Sequence, residues 1–168
     1  MDFSCEHVLH VCLTGIGATV TMDLWALSIK RMFNIPSLNW AMVGRWLGGM
    51  ASAKFRHSNI AEAPQIKGEL FIGWAAHYMT GILFAATLVL IVGVDWLLQP
   101  TLTPALLFGL ASVIFPFFLM QPGMGAGVAA SKSPKPNQAR FRSLLAHSVF
   151  GLGLYISAML LVLLTRFQ

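Results

Sequence analysis

Four long apolar runs limit what this chain can fold into. They lie at about Val8–Ile29, Leu70–Val92, Thr103–Met120 and Leu144–Leu164. A helix needs about 20 residues to cross the hydrocarbon core of a bilayer, and each run comes close to that length or exceeds it. The composition agrees. Only 10% of the residues are charged, where a soluble domain carries roughly 25%. The expected fold is therefore all-α: a polytopic membrane protein with a four-transmembrane-helix bundle, forming a single domain over residues 1–168. Its first partner is the lipid bilayer. The net charge of +5 could suggest nucleic acid. However, the basic residues gather in two loops beside the spans, where they mark orientation, and no nucleic-acid partner is expected.

The N-terminus carries Asp2 and Glu6 and no Lys or Arg before the first run. It lacks the positive n-region of a secretory signal, so the first span is expected to stay in the mature protein. Cys5 and Cys12 sit near the start of that span. On one helix they lie about 10 Å apart by rise alone, too far for a disulfide, and they read as apolar filler.

About 40 residues separate the first two runs, by a count along the sequence. Pro36-Ser37 reads as a helix start with Ser37 as its cap. From Leu38 to Phe55, Trp40, Val43, Leu47 and Met50 recur at helical spacing with Trp46 beside them. This predicts an amphipathic interfacial helix between spans one and two, with Arg45, Lys54 and Arg56 turned to water or lipid phosphate. The third run is short and holds Pro116, which predicts a kink or local unwinding. The glycine-rich stretch Gly123–Gly127 and the polar stretch to Arg142 follow it.

Charge sets the expected orientation. The loop over 30–69 carries Lys30, Arg31, Arg45, Lys54, Arg56 and Lys67, and the loop over 121–143 carries Lys132, Lys135, Arg140 and Arg142. The other side has only Arg166. Both long loops are expected in the cytoplasm, and both termini outside.

With this topology four polar side chains fall at one level. Asp23 lies about seven residues from the cytoplasmic end of span one. His77 is about seven residues into span two, and His147 about three to five into span four. By helical rise all three sit roughly 5–10 Å inside the membrane. Gln121 ends span three near the same depth. An ionisable group inside a membrane is by default a candidate functional site. Asp23 shares a four-spaced face with Gly15 and Thr19, His77 with Gly73 and Gly81, and His147 with Ser143 and Gly151. Stripes of small residues are where membrane helices meet, so Gly15, Gly81 and Gly151 are expected at helix contacts. The stretches Ala76-His77-x-x-x-Gly81 and Ala146-His147-x-x-x-Gly151 match, which suggests a duplication of spans one and two as three and four.

Several chemistries suit Asp, His and Gln in one layer. Asp23, His77 and His147 could hold a divalent metal, or the two histidines a haem. The layer could carry protons, since histidine titrates near neutral pH and Asp23 can shift. It could also be a hydrogen-bond network that ties helices together. Arg45, Arg140 and Arg142, with the Gly123–Gly127 loop, could hold a phosphate or an anionic lipid headgroup through guanidinium forks and backbone N–H groups. No catalytic residues are assigned: there is no Ser-His-Asp set, no His-Glu-x-x-His and no Cys-x-x-Cys. The leading expectation is a small transporter-like or ligand-binding protein with an Asp/His site open to the cytoplasm. The alternatives are an enzyme or accessory factor acting on a phosphorylated lipid, and a structural subunit of a membrane complex.

Several stretches resemble a bacterial family of small four-span membrane proteins of unknown function. They are Gly17-Ala18-Thr19 with Met22-Asp23-Leu24-Trp25, Ile35-Pro36-Ser37, Val43-Gly44-Arg45-Trp46-Leu47-Gly48, Gly73-Trp74-Ala75-Ala76-His77-Tyr78, the run from Pro116 to Gly127, and Ser143 to Tyr155. The resemblance covers nearly the whole chain. It implies a multi-pass protein of the bacterial inner membrane and supplies no substrate.

Overall fold

The computed structural model describes residues 4–166. Asp2 lies outside them, and so does the side chain of Arg166. The described chain is all-α, with helices α1 (Cys5–Phe33), α2 (Trp40–Met50), α3 (Glu69–Val92), α4 (Asp95–Leu98), α5 (Leu102–Ala111), α6 (Gln121–Gly123) and α7 (Pro136–Arg166). Four stretches are long and apolar enough to span a membrane: Cys5–Phe33, Glu69–Val92, Leu102–Gly123 and Pro136–Thr165. The chain divides into two compact units. The first comprises residues 1–35, 78–112 and 146–168, and the second residues 36–77 and 113–145.

Local chemistry sets the helix ends. Ser4 opens α1 with a capping box to His7, and Asn34 closes it in the left-handed conformation at φ 53°. The expected Ser37 start of α2 moves two residues on. Asn39 is the cap, and its side-chain oxygen accepts from the Ala41 N–H at 3.0 Å. The predicted reach to Phe55 also shortens. Lys54 N–H turns back to the Gly49 carbonyl at 3.1 Å, with Ala53 left-handed at φ 56°. Helix α7 starts at Pro136, well before Leu144. Proline suits a first helical position, where its missing N–H has no partner to lose. Arg140 and Arg142 therefore sit on a helix and not in a loop. The third span breaks as Pro116 requires: α5 ends at Ala111 and a π-helical turn runs from Pro116 to Met120.

In the first unit small residues carry the crossings. A Cβ on Gly15 would lie 2.6 Å from the Ile82 Cα, so α1 and α3 touch backbone to backbone. A Cβ on Gly109 would lie 2.5 Å from the Gly151 Cα, which brings α5 against α7. Gly153 abuts Ala18, and Gly17 abuts Ser157. Around these contacts pack Val11, Ala18, Ala85, Leu88, Val89, Phe150 and Leu154. Phe84 meets Phe108 and Phe150 edge-on at 6.0 Å each. Many large apolar side chains point outward instead, such as Leu90 at 77% and Ile91 at 69% exposed. In water that would be costly, and against lipid it is expected.

In the second unit α2 lies on the start of α3. Gly44 sits against the Glu69 carbonyl, and Gly73 against the Trp40 carbonyl. The Trp46 indole covers Gly123 and donates to the Phe55 carbonyl at 3.0 Å. The segment after α2 is laced to the end of the third span, with His57 N–H on the Gly123 carbonyl at 2.9 Å and Ile60 N–H on the Met124 carbonyl at 3.1 Å.

Candidate functional site

Asp23 and His147 belong to the first unit, His77 and Gln121 to the second. Asp23 is half-buried on α1. The Tyr78 hydroxyl, from α3, donates to its Oδ2 at 3.0 Å. The helix register explains this pairing. Gly15 lies on Gly81 and Ile82, and Gly81 lies on Thr19. Moving one more turn along α1 and back along α3 brings Asp23 to Tyr78. Thr19 donates to the Gly15 carbonyl at 2.8 Å, so its hydroxyl proton goes to its own helix.

His147 Nδ1 stands 2.7 Å from the Ser112 Oγ. Ser112 is 3% exposed at the end of α5. Its Oγ also donates to the Gly109 carbonyl at 2.6 Å. A hydroxyl has one proton to give. With that proton on Gly109, Ser112 accepts from His147, which puts the imidazole proton on Nδ1 and the basic lone pair on Nε2. The Gly109–Gly151 crossing makes the contact, since His147 lies one turn before Gly151.

His77 is buried in the second unit within an indole pair. Trp40 stacks on its ring at 3.9 Å between centroids and 27° between planes. Trp74 meets it edge-on at 5.7 Å. Gln121 Nε2 approaches Ser143 Oγ at 3.4 Å, while its buried Oε1 has no hydrogen-bond partner among the described residues. No group of three or more His, Cys, Asp or Glu side chains that could hold a metal stands together among the described residues.

The phosphate reading loses two parts. Arg45 does not face water or lipid: it is 7% exposed and turned inward. Its Nε and Nη2 hold both oxygens of Glu69 at 2.8 and 2.9 Å. Its Nη1 donates to the Ile60 and Ala63 carbonyls at 3.1 and 2.9 Å. The guanidinium fork is spent on the protein, because a buried arginine must be paired. The glycine loop does not cradle an anion either. Gly125 N–H goes to the Pro122 carbonyl at 3.2 Å and Ala126 N–H to the Gln121 carbonyl at 2.8 Å. This is a helix C-terminal cap, with Gly125 at φ 93° as its left-handed residue. Arg140 Nε donates to the Ala129 carbonyl at 2.9 Å, and its Nη1 donates to Asn137 at 3.1 Å. Arg142 is half-buried on the same helix.

Tyr78, Ser112 and His10 carry no signal of a role in the sequence. Tyr78 stands next to His77, and its long side chain reaches a different neighbour. Ser112 carries no motif and gains its role only through the α5–α7 crossing. His10 is 8% exposed on α1, one turn from Thr14, whose fully buried Oγ1 has no partner among the described residues.

Four spanning helices with a carboxylate and an imidazole hydrogen-bonded inside them define a multi-pass membrane protein. The chain belongs to the DUF2938 family of proteins of unknown function, whose family model matches residues 12–161. No curated protein and no solved structure matches it.

Proposed function

We propose that this is a small transporter-like or ligand-binding membrane protein whose working group is Asp23. The observation that carries the reading is the Tyr78 hydroxyl on the Asp23 carboxylate at 3.0 Å, between two spans. A carboxylate at membrane depth is expensive to keep. Hydrogen bonds between membrane helices average only about 0.6 kcal/mol, so helix association is a small return for burying one. A phenol–carboxylate pair can take up and release a proton. His147, bonded to Ser112 on span four, and His77, on span two, add two imidazoles within the spans. The charge bias supports placing loops 30–69 and 121–143 in the cytoplasm of a bacterial inner membrane, with both termini outside. The site then opens towards the cytoplasm.

Proteoliposomes test the reading. With a pH-sensitive dye inside and an imposed pH gradient, wild-type protein should dissipate the gradient faster than empty liposomes, and Asp23→Asn should remove most of the difference. Equal rates for wild type and Asp23→Asn would count against it.

A further inference from the structure

The basic residues over 30–69 and 121–143 are not all alike. Two of them flank an exposed phenylalanine at Lys54-Phe55-Arg56, and two more do so at Arg140-Phe141-Arg142. Both tripeptides belong to the second unit. Phe55 is 61% exposed and Phe141 64%, although both lie in polar, basic surroundings where an apolar ring is out of place.

Neither ring is exposed because its backbone is loose. Buried Trp46 holds the Phe55 carbonyl. The Lys54 N–H is tied to Gly49 on one side, and the His57 N–H to Gly123 on the other. Phe141 stands on α7, next to Arg140, whose guanidinium is fixed to Ala129 and Asn137. Each site thus offers one exposed aromatic ring on a fixed backbone, with a basic residue before and after it in the chain. A ring of this kind settles at the boundary between headgroups and acyl chains, and the cations settle at phosphate depth.

We infer that Lys54-Phe55-Arg56 and Arg140-Phe141-Arg142 are two anchors for the anionic leaflet of the membrane that the protein itself spans. The occupant follows from charge and position. Every lysine and arginine except Arg166 lies on the side that bears these loops, and the adjoining spans already hold the tripeptides at a bilayer surface. The anchors are independent of the proposed role of Asp23.

Native mass spectrometry of protein taken from mixed micelles of phosphatidylglycerol and phosphatidylcholine tests the inference. Wild type should retain phosphatidylglycerol in preference. The combined variant Phe55→Ser, Arg56→Gln, Phe141→Ser, Arg142→Gln should lower that preference on the order of tenfold or more, since each basic residue near an anionic surface contributes about fivefold. The control Lys67→Gln, Lys132→Gln removes the same number of charges from exposed sites but no ring that holds them at headgroup depth, and should lower the preference distinctly less than the anchor variant. Retention of all four spans is checked by circular dichroism for each variant, and a variant that loses helix is replaced by Arg56→Gln, Arg142→Gln alone. No preference in wild type, an unchanged preference in the anchor variant, or an equal loss in the control would each overturn the inference.

Discussion

At the scale of single residues, His57 ties the two long loops together, and it carries a pH dependence. Its N–H holds the Gly123 carbonyl, and its Nε2 is buried without a hydrogen-bond partner among the described residues. Burial, and then the nearby Lys54 ammonium, push the imidazole below its ordinary value. Protonation is therefore easier in the unfolded chain than in the folded one. As pH falls below about 6.5, the unfolded state gains a proton that the folded state resists, and stability drops. Thermal melting followed from about pH 8 to about pH 5 should show a falling midpoint for wild type and a flatter profile for His57→Gln. Identical slopes would remove His57 from the account. This residue was not legible in the sequence. Burial of one ring nitrogen depends on how the 55–60 and 123–125 segments meet, and nothing in the local pattern around His57 encodes that meeting.

At the scale of elements, the ion pair of Arg45 and Glu69 locks α2, the 60–63 turn and the start of α3. Its oxygens and N–H groups are almost all engaged, with Glu69 Oε2 also accepting from the Ile66 N–H at 3.1 Å. Removing one partner strands the other's hydrogen-bonding groups. Glu69→Ala should therefore destabilise the protein clearly, while Arg45→Met with Glu69→Leu should cost much less. Chemical unfolding in mixed micelles checks both, and equal losses would contradict the locked pair. The spacing of Trp40, Val43, Leu47 and Met50 revealed α2, but it put Arg45 on the wet side. Helical period gives the faces of a helix. It does not say that Gly44 and Gly73 let α2 press against α3 and turn its arginine inward. The four spans were legible because length and apolarity alone decide them. The break at Pro116 was legible because proline cannot donate. The early start of α7 was missed because the polar residues Asn137, Gln138 and Arg140 hide the first turns of an otherwise apolar helix.

At the scale of the whole molecule, the two histidine-glycine stretches share one mechanical part and differ in another. Gly81 and Gly151, each four residues after a histidine, both make a backbone crossing with an earlier helix, α1 in one case and α5 in the other. That likeness is what two copies of a two-helix unit would share. The histidines themselves differ in surroundings, with His77 stacked on Trp40 and His147 bonded to Ser112. Helical rise placed Asp23, His77 and His147 only along their own helices. Their partners could not be read from it, because a partner depends on which faces meet. The central claim is that Asp23 exchanges a proton while held by Tyr78. Infrared difference spectroscopy of the reconstituted protein during a pH titration tests this directly. The account predicts a carboxylic-acid carbonyl band that appears on acidification, shifts in frequency in Tyr78→Phe and is missing in Asp23→Asn. A titrating band that is the same in wild type and Asp23→Asn would contradict it.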